Sequence, residues 1–416
     1  MRKTSINLKN LSFNLFLGII LFIYLTPHYF LPIQINFGGT YTTFSVVIAY
    51  IRLGLLFLLM FVYIAKKIKL KSYLISFFCW VAYCSISFLL IAEKEYMYNH
   101  FSDLINLLGI VIVLHLFSEI NINKLLTVLY TLLLLYAFLT AFEQFTSRAG
   151  SADISGWIRV SLFIGIRTRI PDVCFPLICI ALLLSIKKHK KYITKYSIVA
   201  FFISFYLIFK YSVSTGIIGL FLLIILLFLF NIKNNIYIEK VLRPNKKTTF
   251  KYEIKERMVL KYIFLGLAMN YLVIYIRIQN IFSFIIEDFL NKSLTFTGRT
   301  YIWDVAIPKI KENIFFGVGR RNGFVGYIPQ LYQEAEGHSN FIQLIYDLGL
   351  IGFFLYIIFI LLCFKKLDSY KKSKECVIML SFLIVFLFMS ITEVYWDKSY
   401  FYIIPILAAN IEKLKE

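Results

Sequence analysis

Residues 334–341 read EAEGHSNF and place His338 after two carboxylates, at the start of a membrane-length apolar run. An imidazole titrates near neutrality and can take a proton from a hydroxyl. Glu334 or Glu336 can orient it or raise its basicity. A plain interfacial anchor is the competing account. The other four histidines, His28, His100, His115 and His189, lack this combination of acids, polar loop and helix start.

Arginine is the second signal. Of the 12 arginines, 8 fall in segments that topology places on one side: Arg148, Arg159, Arg167, Arg169, Arg277, Arg299, Arg320 and Arg321. Guanidinium is planar, permanently charged and bidentate toward phosphate. Arg299 opens an amphipathic helix, where the helix N-terminus adds positive potential; Asp304 is its other possible partner. Arg320 and Arg321 sit in GVGRRNG, residues 317–323. That stretch has neither the spacing nor the preceding strand of a dinucleotide-binding loop, so it is an anion-facing turn or a plain connection. Arg167 and Arg169 precede Pro171 and an apolar run. They either snorkel to lipid headgroups or bind the headgroup of a lipid-linked substrate, with Asp172 as partner to one of them.

Apolar runs must position these residues. Only 16% of the 416 residues are charged and 60% are hydrophobic, with a mean hydropathy of +0.76. So few charges cannot cover a water-facing surface, which makes the bilayer the natural solvent. Twelve apolar segments lie at about 11–31, 43–65, 73–92, 101–117, 125–145, 170–186, 193–209, 212–231, 260–279, 340–364, 376–391 and 400–412. Helix is expected throughout, because a spanning segment must satisfy its own backbone in lipid. The expected fold is all-α, a polytopic membrane bundle of about twelve transmembrane helices forming one integral domain over 1–416. The first run keeps its apolar length without a small-residue cleavage site and reads as an anchor.

Of 44 basic residues, 29 lie in the N-terminal segment and alternate loops, including the basic loop at about 232–259, which places these and both termini inside. The inner set is dominated by lysine, 26 of 32, which topology and anionic lipid explain. Arginine on the outside needs another reason, and a phosphate-bearing ligand supplies one. The net charge of +21 is thereby accounted for without a nucleic-acid partner. The long outer loop, about 280–338, carries Tyr301, Ile302, Trp303, Ala306, Ile307 and Ile310 at helical spacing. Thr297 is a candidate cap and Pro308 a kink or stop. An outer cap of short helices on the membrane is expected. The 6 cysteines show no CxxC and read as buried free thiols, and Cys/His spacing suggests no metal site.

TGRTYIWDVAIPKIKENIFFGVGRRNGF followed by EGHSNFIQLIYDLGLIGFFLYI resembles the signature of the O-antigen ligase and Wzy-type polysaccharide polymerase superfamily. The matching parts are Gly298-Arg299, Trp303, Asn313 to Gly319, His338 to Asn340 and Gly349 to Phe353, about sixty residues in all. The resemblance implies an inverting glycosyltransferase with a GT-C-like membrane fold, using a polyprenyl-pyrophosphate-linked glycan without cofactor or metal. It implies a bacterial cytoplasmic membrane, an outer-face site, and chain-length regulator and flippase proteins as partners. Arg299 would contact the donor pyrophosphate and His338 would serve the acceptor side. Arg167, Arg169, Arg320, Arg321, Glu336 and Asn340 would complete substrate binding. The sequence departs from the pattern in YSVSTGIIGL. Thr215-Gly216 stand where many relatives carry an arginine, and Lys210 is the nearest cation. A polymerase is the first expectation, a ligase the second, and a flippase for the same lipid-linked glycan the alternative from another class.

Overall fold

The computed structural model of the chain describes residues 8–26, 43–91, 97–142, 151–152, 158–159, 163–164, 167–242, 257–284, 295, 298–320 and 324–415. Apolar helices dominate: α1 (Leu8–Tyr24), α2 (Thr43–Ala65), α3 (Ser72–Ile91), α4 (Met97–Phe142), α5 (Ile170–His189), α6 (Lys195–Lys210), α7 (Ser214–Leu242) and α8 (Met258–Ile274). After these come the cap helix α9 (Arg299–Glu312), then α10 (Asn340–Phe364), α11 (Lys374–Met389), α12 (Ile403–Ala409) and α13 (Ile411–Lys415).

Among the described residues, five stretches are long and apolar enough to cross a membrane: Val46–Ala65, Ser72–Ile91, Met97–Phe142, Arg167–His189 and Asn340–Ser369. Four shorter apolar helices accompany them. The protein is a helical membrane protein. Within the third stretch, Asn121 leaves helical geometry (φ −162, ψ 91). Its Oδ1 accepts from the Lys124 amide at 3.0 Å, capping the second half. The two apolar runs predicted there are therefore two helices joined by a bend. Helix α7 runs to Leu242, well into the stretch expected as a basic loop. The last run is broken at Asn410 into α12 and α13.

Helix α5 is the axis of the bundle, with 94% of its apolar stretch buried, against 17% for α2, whose flanks face outward. Polar groups gather at the two ends of the bundle. At one end lysines dominate: Lys71 and Lys413 reach Glu119 at 2.6 and 2.7 Å, and Lys366 reaches Glu412 at 2.6 Å. At the other end arginines dominate, as described below. Arg52, inside the apolar run at 43–65, donates from Nε to the carbonyl of Ile23 at 3.0 Å. It closes the end of α1. Five cysteines are buried, and Cys79 is exposed on α3.

The cap differs from the purely helical expectation. A two-residue pair, β1 (Ser151–Ala152) with β2 (Ile158–Arg159), precedes α5, and after α9 strands β3 (Phe324–Ile328) and β4 (Gln333–Glu336) form an antiparallel hairpin. Val325, Ile328 and Ala335 of the hairpin are buried with Ile302, Trp303, Ala306 and Ile310 of α9 and Ile342 and Tyr346 of α10. This small core seats the cap on the first turns of α10. Helix α9 continues through Pro308 to Glu312. Pro308 lies on the exposed face, where a carbonyl left without its donor can bind water. Gly298 precedes the helix, and its amide donates to Thr295 Oγ1 at 3.1 Å; Thr297 lies outside the described residues.

The signature glycines meet in space. Helix α10 is interrupted at Gly349 (φ 64, ψ −173). The Leu350 amide donates to Ile314 O at 2.8 Å, and the Tyr346 carbonyl accepts from Val318 at 2.7 Å. Tyr83 donates to the Leu348 carbonyl at 2.9 Å. The turn after α9 thus occupies backbone positions that the break in α10 releases. A Cβ at Gly349 would lie 2.2 Å from the Phe315 oxygen, and one at Gly317 would lie 2.7 Å from the Asp347 oxygen. Gly349→Ala is expected to cost at least ~2 kcal/mol, read as a lower melting temperature of the purified protein in detergent.

Candidate active site

His338 stands between β4 and α10 in a left-handed conformation (φ 44). Its neighbours hold it there. The Gly337 carbonyl accepts from Trp303 Nε1 at 2.9 Å, and the Gly337 amide donates to Gln343 Oε1 at 2.7 Å. Ser339 caps α10, its Oγ accepting from the Ile342 amide at 3.5 Å. Gln343 Nε2 in turn donates to Asp347 at 2.9 Å. Burial holds the half-buried imidazole below the ordinary histidine value; Glu336 and Glu393 oppose that shift, and Arg299 and Lys398 add to it. The ring is therefore neutral at neutral pH, with a lone pair available.

Arg299 opens α9 and pairs with Glu393, Nη2 to Oε1, at 2.9 Å. Asp304 is engaged elsewhere: Arg277 reaches it at 2.6 Å, with its guanidinium 5.2 Å from the centre of the Trp303 ring. Glu393 belongs to a segment that sequence reasoning passed over, TEVYWDKSY at 392–400. This strap joins α11 to α12 and carries three charges, each paired with a different element. Glu393 takes Arg299, Asp397 takes Arg320 at 3.0 Å, and Lys398 faces Asp172 at 3.8 Å. Its signal was three charges and three aromatics between two apolar runs.

Asn340 holds the strap. Its Oδ1 accepts from the Tyr395 and Trp396 amides at 2.8 and 2.9 Å, and its amide donates to Ser390 O at 2.9 Å. The residue is fully buried. It was expected to touch substrate; the structure places it behind the site, positioning the strap.

Arg320 is likewise committed. It lies between Asp397 and Asp103, the latter at 3.2 Å, and stacks 4.9 Å from the centre of the Trp396 ring. Its own carbonyl meets His100 Nε2. Burial works against its charge, yet Asp103 and Asp397 hold it above the ordinary arginine value. With two carboxylates on one guanidinium, this corner has no positive charge to spare. Arg320→Ala would strand both acids, at a cost on the order of 3 kcal/mol, measured as a loss of thermal stability. Arg321 lies outside the described residues.

Arg169 is looser. It meets Asp172 at 3.8 Å, and Lys398 meets the same oxygen at 3.8 Å. Two cations share one carboxylate, so this corner keeps a surplus positive charge. Arg167 is exposed beside it. An apolar crevice lined by Phe175, Phe386, Met389, Tyr395 and Phe401 opens next to Asp172. Glu336 is half-buried on β4, and Glu334 is exposed. Thr215 Oγ1 lies 3.4 Å from Thr392 Oγ1, one residue from Glu393, so the position lacking an arginine borders the site. Lys210 is exposed at the end of α6.

The site therefore joins a neutral imidazole, an arginine on a helix N-terminus and a surplus cationic corner, all at one end of an apolar bundle. Residues 198–357 match the family described as O-Antigen ligase. The match covers less than half of the chain. No curated protein matches the chain. The matched segment contains Arg299, Arg320, Glu336, His338 and Asn340, whereas Asp103, Arg169, Asp172, Glu393, Asp397 and Lys398 come from outside it. The family comprises glycosyl-transferring enzymes acting on lipid-linked glycans, and the chain is a multi-pass membrane protein.

Proposed function

We propose that the chain is a polysaccharide polymerase that joins oligosaccharide repeat units carried on polyprenyl pyrophosphate. The placement of Arg299 and His338 in one polar cluster at the arginine-rich end of the bundle carries this reading. In it, twelve membrane segments form a GT-C-like bundle in a bacterial cytoplasmic membrane, with both termini inside and the site on the outer face.

The acceptor hydroxyl attacks the donor anomeric carbon, and the bond from that carbon to the phosphate oxygen breaks with inversion. Polyprenyl pyrophosphate leaves with the electron pair. His338 takes the hydroxyl proton, for which a depressed pKa leaves it competent. Arg299 meets the charge that develops on the leaving group. The Arg169 and Lys398 corner, with Arg167, supplies the standing attraction for phosphate. The crevice beside Asp172 suits an apolar chain. Arg320 and Asn340 hold the frame, and Glu336 and Glu393 favour the imidazolium that forms on His338.

The ligase reading is the second, favoured by the description of the matched family. Deletion cells complemented with His338→Ala separate the two by gel analysis. The polymerase reading expects single repeats on the lipid carrier; long polymer retained on the carrier would mean a ligase. Normal polymer on its final acceptor in these cells would contradict both. Transport of lipid-linked glycan by the purified protein in vesicles, without glycan joining, would favour the flippase reading.

A further inference from the structure

We propose that Glu393 is a displaceable counter-ion: it occupies Arg299 in the empty site and yields it to a diphosphate, which leaves the carboxylate to serve His338. The inference rests on the proposed role of Arg299 as a diphosphate ligand and adds a residue outside the matched segment.

Two arginines meet the same strap, and they are held differently. Arg320 is gripped by Asp397 and Asp103 and stacked on Trp396. Arg299 has one charge-assisted hydrogen bond among the described residues, from Nη2 to Glu393 at 2.9 Å. Its side chain is 18% exposed and that of Glu393 11%, so the pair is mostly buried yet partly accessible. The pair is single-toothed, so it lacks the geometric strength of a bidentate contact. A diphosphate offers oxygens for a two-pronged grip by the same guanidinium and wins that competition.

The strap backbone stays in place during the exchange. Asn340 holds Tyr395 and Trp396, and the Glu393 amide donates to Met389 O at 3.0 Å. Side-chain rotation of Glu393 is enough. The fields of Arg299 and Glu393 both reach His338, with opposite signs. In the empty site they offset each other. Once a diphosphate neutralises Arg299, the field of Glu393 outweighs that of Lys398 and stabilises the imidazolium formed as the acceptor hydroxyl loses its proton. Donor binding is thereby coupled to the basicity of His338, and Glu393 is a positioning residue that takes no proton itself.

The test uses the purified full-length chain in detergent, with inorganic pyrophosphate as the binding probe and lipid-linked repeats for turnover. Glu393→Gln is expected to bind pyrophosphate at least about tenfold tighter. Its kcat should fall at least tenfold while KM does not rise. A merely structural role would weaken binding and turnover together. Glu393→Asp retracts the charge from Arg299 and should shift binding in the same direction by less; it serves if the Gln variant does not fold. Unchanged or weaker pyrophosphate binding in the Glu393 variants, with binding abolished in Arg299→Ala, overturns the counter-ion role and leaves the function standing. Undiminished binding in Arg299→Ala overturns the role of Arg299 and the inference with it.

Discussion

Arg299→Ala is expected to lower glycan joining by about 10²–10³-fold or more, the scale on which a preorganised donor facing developing charge contributes. The prediction follows from placement. Arg299 sits at the first position of α9, where the helix dipole adds to its own charge. A pyrophosphate leaving group gains negative charge as the anomeric bond lengthens, so the interaction strengthens toward the transition state and acts on kcat. Arg299→Lys should recover little, because an ammonium keeps the charge and loses the fork. The Ala variant should also keep its fold, since Arg299 makes one ion pair at the edge of the cap and Trp303, Ile302 and Ala306 carry the packing of α9. Activity lost with the fold retained is the expected pattern, with a lower melting temperature because Glu393 loses its cation. Activity retained within about threefold would remove Arg299 from the chemistry.

His338→Ala is expected to cost about 10²–10⁴-fold in turnover, the usual range for a positioned general base. The rate should also report the environment of the imidazole. Because burial and Arg299 depress the His338 pKa, the base stays unprotonated to lower pH than an ordinary histidine. The acid limb of the rate profile should therefore lie below about pH 6.5. Glu336 opposes the depression, so Glu336→Gln should move that limb to still lower pH. A limb at or above the ordinary histidine value, or one that rises in Glu336→Gln, would contradict a buried neutral base. The backbone frame explains why His338 itself is hard to replace. Its φ of 44 and the two hydrogen bonds on Gly337 fix where the ring starts, and these do not depend on the ring.

The long elements were legible because lipid demands continuous apolar sequence. The pair of runs around residue 121, the start of α10 at Asn340 and the buried stripe of α9 all follow from that demand or from helical spacing. The β3–β4 hairpin was not legible. Its alternation is interrupted by Gly326 and by a turn at Pro329–Leu331, and β4 is mostly polar. The signature turn from Asn313 to Gly319 could be seen, but not its reason, which is the break at Gly349 in a distant helix.

The site was half legible. Arg299 and His338 stood out by residue type and local setting, and the structure brings their fields together. Their partners did not stand out, because charge pairing has no sequence period. Glu393 is 94 residues from Arg299, and Asp397 is 77 from Arg320. Local sequence made Arg320 look available for phosphate, whereas two carboxylates from other elements occupy it. Asn340 looked like a polar group at a helix mouth, whereas it is buried under the strap it holds. An arginine census finds candidates for an anion site; only the count of opposing carboxylates in space shows which candidates have charge to spare.

The most direct test reconstitutes the purified chain in liposomes with a polyprenyl-pyrophosphate-linked repeat unit as the sole glycan. Chain growth and released polyprenyl pyrophosphate are then measured together. The account predicts products of two and more repeats, one pyrophosphate lipid released per linkage formed, and neither product with Arg299→Ala or His338→Ala. Movement of the lipid-linked glycan across the bilayer without linkage or release, or linkage unchanged in both variants, would contradict it.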